Sequence, residues 1–354
     1  MAINIISIEH FQQGVRQVII DVRSPAEYSH AHIPGAYSLP LFNDQERKVI
    51  GTAYKQQSRE KAIKYGLEFF GPRMKEMVEK VENIFKKETG IKNQQAEVYI
   101  HCWRGGMRSH AVGWLLNLYG FKVFLLEGGY KSYRKWVLQQ FESDYDFKII
   151  GGYTGSGKTP VVYQLLCNNQ PVIDFEGLAN HKGSAFGAIN QPSQPSQEMF
   201  ENLLATELFK KNMGDESPIW LEDESQRIGM LNIPMSLWKT IRKKPVYFID
   251  IPFEQRLKYI IQEYGSNKKE ELVNAIIRIH KRLGPVETKT AIGFLLENKI
   301  SECFSILLNY YDKHYSKALV NRENINTLLT KIYCTAVDSL TNTEKILRCD
   351  TVNV

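Results

Sequence analysis

The chain has 354 residues, 43% apolar and 24% charged, the balance of an ordinary globular protein with room for about two domains. Its 45 basic and 39 acidic residues give +6, too mild a charge to mark a nucleic-acid domain by itself. Five cysteines without a C-x-x-C pair, eight histidines without ligand spacing, no apolar run of about 18 residues and no leader pattern after Met1 argue against a disulfide framework, a zinc site, a membrane span and secretion. A cytoplasmic enzyme with no dedicated metal-ligand set is expected.

In chain order, residues 17 to 23 read as a buried strand ending in a polar pair, followed by a turn at Ser24-Pro25 and a short helix from Ala26. A second turn, Ile33-Pro34-Gly35-Ala36, leads into the strand Tyr37 to Pro40. Asn43 to Lys87 is helical and charged, with a break at Gly71-Pro72. Ala96 to His101 is a strand that runs directly into Cys102-Trp103-Arg104-Gly105-Gly106-Met107-Arg108-Ser109. A helix over 110 to 119 stops at Gly120, Lys122 to Leu126 is a strand, and a helix around Lys131 to Phe141 closes the domain. Alternating strands and helices of this kind predict an α/β fold with a parallel sheet. The domain is placed at 1–142, with Glu142 to Asp146 as a polar linker to a second domain over 146–354.

That second domain opens on the strand Phe147 to Ile150 and then G-x-x-x-x-G-K-T, from Gly152 to Thr159. Thr154, Gly155, Ser156 and Gly157 complete the loop, and Val161 begins a helix. A strand–loop–helix turn of this type aims backbone N–H groups and a helix N-terminus at an anion. Lys158 adds a point charge, and Thr159 allows a magnesium ion. The strand Val172-Ile173 leads to Asp174 and Glu176, the segment 178 to 197 is loop-like, and 198 to 212 is a helix. The strand Ile219 to Leu221 carries Glu222-Asp223-Glu224 at its carboxyl end, where open α/β sheets bind ligands. Glu176 is a candidate there, and Glu222 or Asp223 a candidate metal-side carboxylate. After the strand Pro245 to Asp250, everything from 253 to 350 reads as helices with basic faces. Arg242-Lys243-Lys244, Lys268-Lys269 and Arg278 with Lys281-Arg282 fit either solvated faces or RNA phosphates. Arg278 and Arg282, four apart, are expected on one helix face. His181, Lys182 and Ser184 are candidate substrate contacts, and Trp103 and Tyr153 candidate stacking or apolar-lining residues.

Cys102 sits in a Gly-containing loop between a strand and a helix, so inward N–H groups and the helix N-terminus should lower its thiol pKa, with Arg104 and Arg108 adding charge. A thiolate in an anion-binding bowl can attack sulfur, selenium or phosphorus. The spacing also satisfies C-x5-R, so the loop by itself leaves chalcogen transfer and phosphate-ester hydrolysis both open.

Asp21 to Tyr28 with His32 to Ala36 resembles the rhodanese signature, and Cys102 falls where the rhodanese nucleophile falls. HCWRGGMRS in one domain and GYTGSGKT in the other, with the stretches 174 to 187 and 221 to 229, resemble the tRNA 2-selenouridine synthase family over nearly the whole chain. The resemblance implies a rhodanese-like domain followed by a P-loop domain with a helical C-terminal part. It implies exchange of sulfur for selenium in wobble 2-thiouridine of tRNA, with selenophosphate as donor and prior S-geranylation from geranyl diphosphate. It implies that Cys102 either carries selenium or steers it, while the phosphate loop cradles a diphosphate. An enzyme that supplies selenophosphate would be a partner. A P-loop kinase or NTPase with a fused sulfurtransferase, or a Cys-x5-Arg phosphatase, remains the alternative.

Overall fold

The computed structural model describes residues 3–13, 18–89, 96–214 and 217–352. The chain divides into two compact units, one comprising 1–140 with 201–206, the other 141–200 with 207–354. No described helix is long and apolar enough to cross a membrane.

In the first unit the elements run β1 (Asn4–Ile6), α1 (Ile8–Gln13), β2 (Val18–Asp21), α2 (Pro25–His30), β3 (Tyr37–Ser38), α3 (Asp44–Gln56), α4 (Arg59–Phe70), α5 (Met74–Thr89), β4 (Glu97–His101), α6 (Met107–Tyr119), β5 (Lys122–Leu126) and α7 (Gly129–Gln140). The five strands form one parallel sheet in the order β1-β5-β4-β2-β3. Val98, Ile100, Val123 and Leu125, two apart on paired strands, point to one face of this sheet and are buried in its core. The expected strand from 17 reaches from Val18, since Gln17 lies outside the described residues. The charged helical stretch breaks at Gln57-Ser58 as well as at Gly71-Pro72, where a 3-10 turn over Gly71–Arg73 joins α4 to α5. Gly120 ends α6 at φ +119, as its place after the apolar run predicts.

The second unit begins with β6 (Phe147–Gly152), α8 (Lys158–Cys167), β7 (Val172–Ile173), α9 (Phe175–Ala179), α10 (Gln197–Gly214), of which 201–206 fall to the first unit, and β8 (Ile219–Glu222). A short antiparallel pair, β9 (Arg227–Ile228) and β10 (Leu231–Asn232), precedes α11 (Met235–Ile241), β11 (Val246–Asp250) and α12 (Phe253–Tyr264). Then come α13 (Lys269–Arg278), α14 (His280–Leu283), α15 (Pro285–Leu296), α16 (Ile300–Val320), α17 (Ile325–Leu328), β12 (Leu329–Tyr333) and α18 (Ser339–Val352). The parallel sheet has the order β12-β11-β6-β8-β7, with the phosphate-loop strand in its centre. Core residues Ile150, Val161, Leu165, Trp220 and Ile249 pack along it, and α12, α13, α15 and α16 share a second core around Ile276, Leu295 and Phe304.

Three expectations change. The region beyond 253 is not all helical, because Leu329–Tyr333 pairs with β11 in register Val246↔Leu329 to Asp250↔Tyr333. Thr330 and Lys331 interrupt its apolar run, as suits an edge strand, and so it carries little strand signal. Arg278 and Arg282 do not share a helix face: α13 ends at Arg278, and Ile279 at φ −101, ψ 3 separates it from α14. Finally, the polar linker is anchored, since Tyr145 is buried against Phe147 with ring centroids 5.4 Å apart.

Candidate functional site

Cys102 follows β4 directly, and its thiol is 3% exposed. The loop is braced from β5–α7: Tyr130 N–H donates to the Cys102 carbonyl at 2.8 Å and Lys131 N–H to that of Trp103 at 3.0 Å. This fit depends on Gly129, at φ +61, where an added Cβ would stand 2.4 Å from the Cys102 oxygen and 2.5 Å from the Gly105 nitrogen. Burial opposes ionisation of the thiol and is the largest single influence on it. A hydrogen bond with the Ser109 hydroxyl (3.3 Å), those from Ser109 N–H and Arg104 N–H, and then the Arg108 charge, together outweigh it, and the thiol pKa ends below its ordinary value.

The loop therefore behaves as expected, with the parts reassigned. Arg104 acts through its backbone while its side chain is exposed. The Arg108 guanidinium is held by Glu27, 2.7 Å and 3.4 Å between their atoms, and Glu27 also accepts from Ser24 N–H at 3.0 Å at the start of α2. Ser109 was missed, though its place one residue into the first turn of α6 beyond Arg108 was a readable signal. Beneath the loop, Arg23 and Asp21, 1% and 0% exposed at their side chains, pair at 2.6 Å. The Arg23 guanidinium stacks 3.8 Å from the Tyr130 ring centroid, tying β2 to α7.

In the second unit, Gly155 and Gly157 take φ +80 and +73, and α8 begins at Lys158. Ser156 N–H donates to the Tyr153 carbonyl at 3.1 Å, and Lys158 Nζ to the Gly152 carbonyl at 3.2 Å. Tyr315 of α16 bridges the loop to β8: its hydroxyl accepts from Gly152 N–H at 3.2 Å and donates to Asp223 at 2.6 Å. Arg256 of α12 donates to the Thr154 carbonyl at 3.0 Å and to both Asp312 oxygens at 2.9 and 2.7 Å. Neither residue was legible as part of the loop, because each lies about a hundred or more positions away in sequence. The loop opens on a cavity of about 1350 Å³. Thr154, Gly155, Gly157, Lys158 and Thr159 line it, whereas Gly152 and Ser156 do not face it. Phe304, Leu307, Leu308, Tyr310 and Tyr311 of α16 form an apolar and aromatic wall, and Lys182, Arg242, Lys243 and Arg282 add positive charge.

The acidic triplet splits. Asp223 is engaged by Tyr315, by Arg322 at 3.2 Å and by Arg242 at 3.5 Å. Glu222 and Glu224 instead meet Glu176, with one oxygen from each within 4.8 Å of the others. Glu224 joins the cluster where Asp223 does not, because the chain turns just after β8, with Glu224 N–H donating to the Glu222 carbonyl at 2.9 Å. Burial first, and the neighbouring carboxylates second, push all three up to about 8. Asp174 caps α9, accepting from Gly177 N–H at 2.8 Å.

Among the other expected contacts, Lys182 and Ser184 line the cavity, and Lys182 is paired with Glu263. His181 does not line it: its ring packs against Gly187 and Gly229, where an added Cβ would come within 2.8 Å. Tyr153 packs edge-on against Phe248 and Tyr315 at 5.2 and 5.8 Å and is likewise absent from the lining. Trp103 is 38% exposed beside Tyr130.

A cradled cysteine on one parallel sheet and a phosphate loop on another define a two-domain chain that joins a rhodanese-type thiol site to a P-loop α/β site. Residues 8–135 match the rhodanese-like domain, and 145–344 match the tRNA 2-selenouridine synthase AAA domain. A tRNA 2-selenouridine synthase of Nitrosomonas europaea is 37% identical over 70% of this chain and 63% of its own length. Those of Pseudomonas putida and Marinobacter nauticus are 34% identical over 75% of both chains and 32% identical over 86% of this chain and 89% of theirs. The chain belongs to the tRNA 2-selenouridine synthase family.

Proposed function

We propose that the protein is a tRNA-modifying transferase that replaces the sulfur of wobble 2-thiouridine by selenium in two steps. In the first, the thiouridine sulfur attacks the allylic carbon of geranyl diphosphate. The carbon–oxygen bond breaks, diphosphate leaves with the electron pair, and the base gives up its proton. In the second, the selenium of selenophosphate adds to the base, the geranyl thiol leaves, and water takes the phosphorus as phosphate. No oxidant or reductant is consumed.

The observation that carries this reading is the make-up of the cavity in the second unit. It pairs an anion-binding loop with an aromatic and aliphatic wall, and its volume exceeds the roughly 300–1,000 Å³ of most small-molecule sites. A diphosphate with an apolar tail and a base to be alkylated suit that combination. Lys158 and the loop N–H groups neutralise the departing diphosphate. The Cys102 loop serves the selenium step, and the basic residues around the cavity and on the C-terminal helices meet tRNA phosphates.

The test supplies thiolated tRNA, geranyl diphosphate and selenophosphate in every combination and analyses the nucleosides by mass spectrometry. S-geranyl-2-thiouridine with the prenyl donor alone, and 2-selenouridine with both donors, is the expected result. No alkylated or selenated uridine in any combination overturns the proposal. The carboxylates beside Thr159 also favour a second reading, a kinase or NTPase, which steady nucleotide turnover lost in Lys158→Ala would support.

A further inference from the structure

We infer that Asn202 of α10 is a positioning residue for the Cys102 loop, so that the thiol site is completed by a side chain a hundred positions downstream of it. By sequence Asn202 falls inside the stretch 145–344 that matches the AAA domain, yet residues 201–206 belong to the first compact unit. The inference rests on the reading of Cys102 as the reactive thiol and on no step of the tRNA chemistry.

Asn202 is fully buried, and its amide is committed at both ends. Nδ2 donates to the Tyr130 hydroxyl and to the His32 carbonyl, each at 2.8 Å, while Oδ1 accepts from Arg134 Nη1 at 2.6 Å. The partners fix which way the amide points, because a guanidinium only donates and a carbonyl only accepts. Both amide hydrogens are therefore spent on the first unit, as a buried amide requires. Arg134 also reaches Glu201 at 2.5 Å, which holds the same turn of α10 in place.

The two groups that receive those hydrogens are the two supports of the cysteine loop. Tyr130 is fully buried, its N–H holds the Cys102 carbonyl at 2.8 Å, and its ring lies under the Arg23 guanidinium and 5.7 Å from the Trp103 ring. His32 follows Ala31, whose carbonyl accepts from Arg23 at 2.6 Å, just beyond α2. That helix carries Glu27, the carboxylate that holds Arg108. One side chain thus ties the start of α7 to the end of α2 on either side of Cys102. Burial resists a thiolate there, so the lowered pKa of Cys102 depends on the N–H groups of Ser109 and Arg104 staying aimed at the sulfur. Hydrogen bonds to an ion are strong but directional, and a loop released from its supports loses that aim. Thr206, one turn on, also bonds α7 through the Tyr133 hydroxyl at 3.1 Å, but it has no hydrogen bond to Tyr130 or His32 among the described residues.

The test follows alkylation of Cys102 by iodoacetamide in the full chain as a function of pH. The Cys102 peptide is quantified by mass spectrometry, so that the more exposed Cys167 and Cys349 do not contribute. Asn202→Ala and Asn202→Asp should both move the profile to higher pH and slow alkylation at neutral pH by about threefold or more. Aspartate keeps the acceptor for Arg134 and loses both donors, so it isolates the two bonds to Tyr130 and His32. Thr206→Val, which removes a bond between the same two helices, should keep the wild-type profile. If Asn202→Ala fails to fold, Tyr130→Phe deletes the accepting hydroxyl alone and should shift the profile in the same direction. Unshifted profiles in the folded Asn202 and Tyr130 variants, an equal shift in Thr206→Val, or no alkylation of wild-type Cys102 overturns the inference. Neither tRNA nor a prenyl donor is present, so failure of geranylation or selenation would leave this result standing, and an unshifted profile would leave the transferase reading standing.

Discussion

Replacing Gly129 by alanine should damage the cysteine loop more than any other glycine substitution of the first unit. At φ +61 the new side chain is in the left-handed region, which costs a non-glycine residue about 1 kcal/mol. Its Cβ would stand 2.4, 2.5 and 3.0 Å from the Cys102 oxygen, the Gly105 nitrogen and the Arg104 nitrogen. All three are backbone atoms, so no rotamer change relieves the overlap and the two loops must separate. Overpacking of this kind costs about 1–3 kcal/mol. Separation also stretches the bonds from Tyr130 and Lys131 to Cys102 and Trp103, each contributing about 1 kcal/mol. The expected loss is about 3–5 kcal/mol in urea unfolding. Because Arg104 N–H helps to hold the thiolate, the Cys102 pKa should rise and its alkylation by iodoacetamide at neutral pH should slow. Gly120→Ala is the control: its φ is +119, but nothing lies within 4 Å of the added Cβ, so it should cost strain alone and leave Cys102 alkylation unchanged. Equal destabilisation by the two substitutions, with identical thiol titrations, would refute the reasoning.

Three further outcomes follow from the same geometry. With EDTA present, the stability of the second unit should fall as pH rises from about 4.5 to 8. Burial, and then Glu176, push Glu222 up to about 8, so the folded state keeps a proton that the unfolded chain has released. The fall should be shallower but still present in Glu222→Gln, because Glu176 and Glu224 are raised as well, and a wild-type stability independent of pH over that window would contradict it. Tyr315→Phe should destabilise by about 2–3 kcal/mol and weaken binding of phosphate compounds, since it strips Asp223 of a donor and Gly152 N–H of an acceptor; thermal melts and pyrophosphate titration read both. Arg23→Met should cost about 3–5 kcal/mol by taking the guanidinium partner from the buried Asp21 carboxylate, and a chemical denaturation curve unchanged from the wild type would refute that.

The parts legible in the sequence are those whose chemistry is contiguous. The run from Gly152 to Thr159 and the loop after His101 each carry their own strand, turn and helix start, so local rules suffice. What was hidden depends on distant chain segments. Tyr315, Arg256 and Arg322 reach the phosphate loop and its carboxylates from helices or turns that look like ordinary amphipathic surface. The strand Leu329–Tyr333 exists because β11 offers it an edge, a tertiary effect that overrides weak propensity. The choice between Asp223 and Glu224 is set by a tight turn after β8, which the three consecutive acids do not announce.

The central claim is a division of labour between the two sites, and the nucleosides made by two variants test it most directly. With thiolated tRNA, geranyl diphosphate and selenophosphate supplied together, Cys102→Ser should accumulate S-geranyl-2-thiouridine and form no 2-selenouridine. Lys158→Ala should leave most of the 2-thiouridine unalkylated. Loss of both modified nucleosides in both variants would contradict the account.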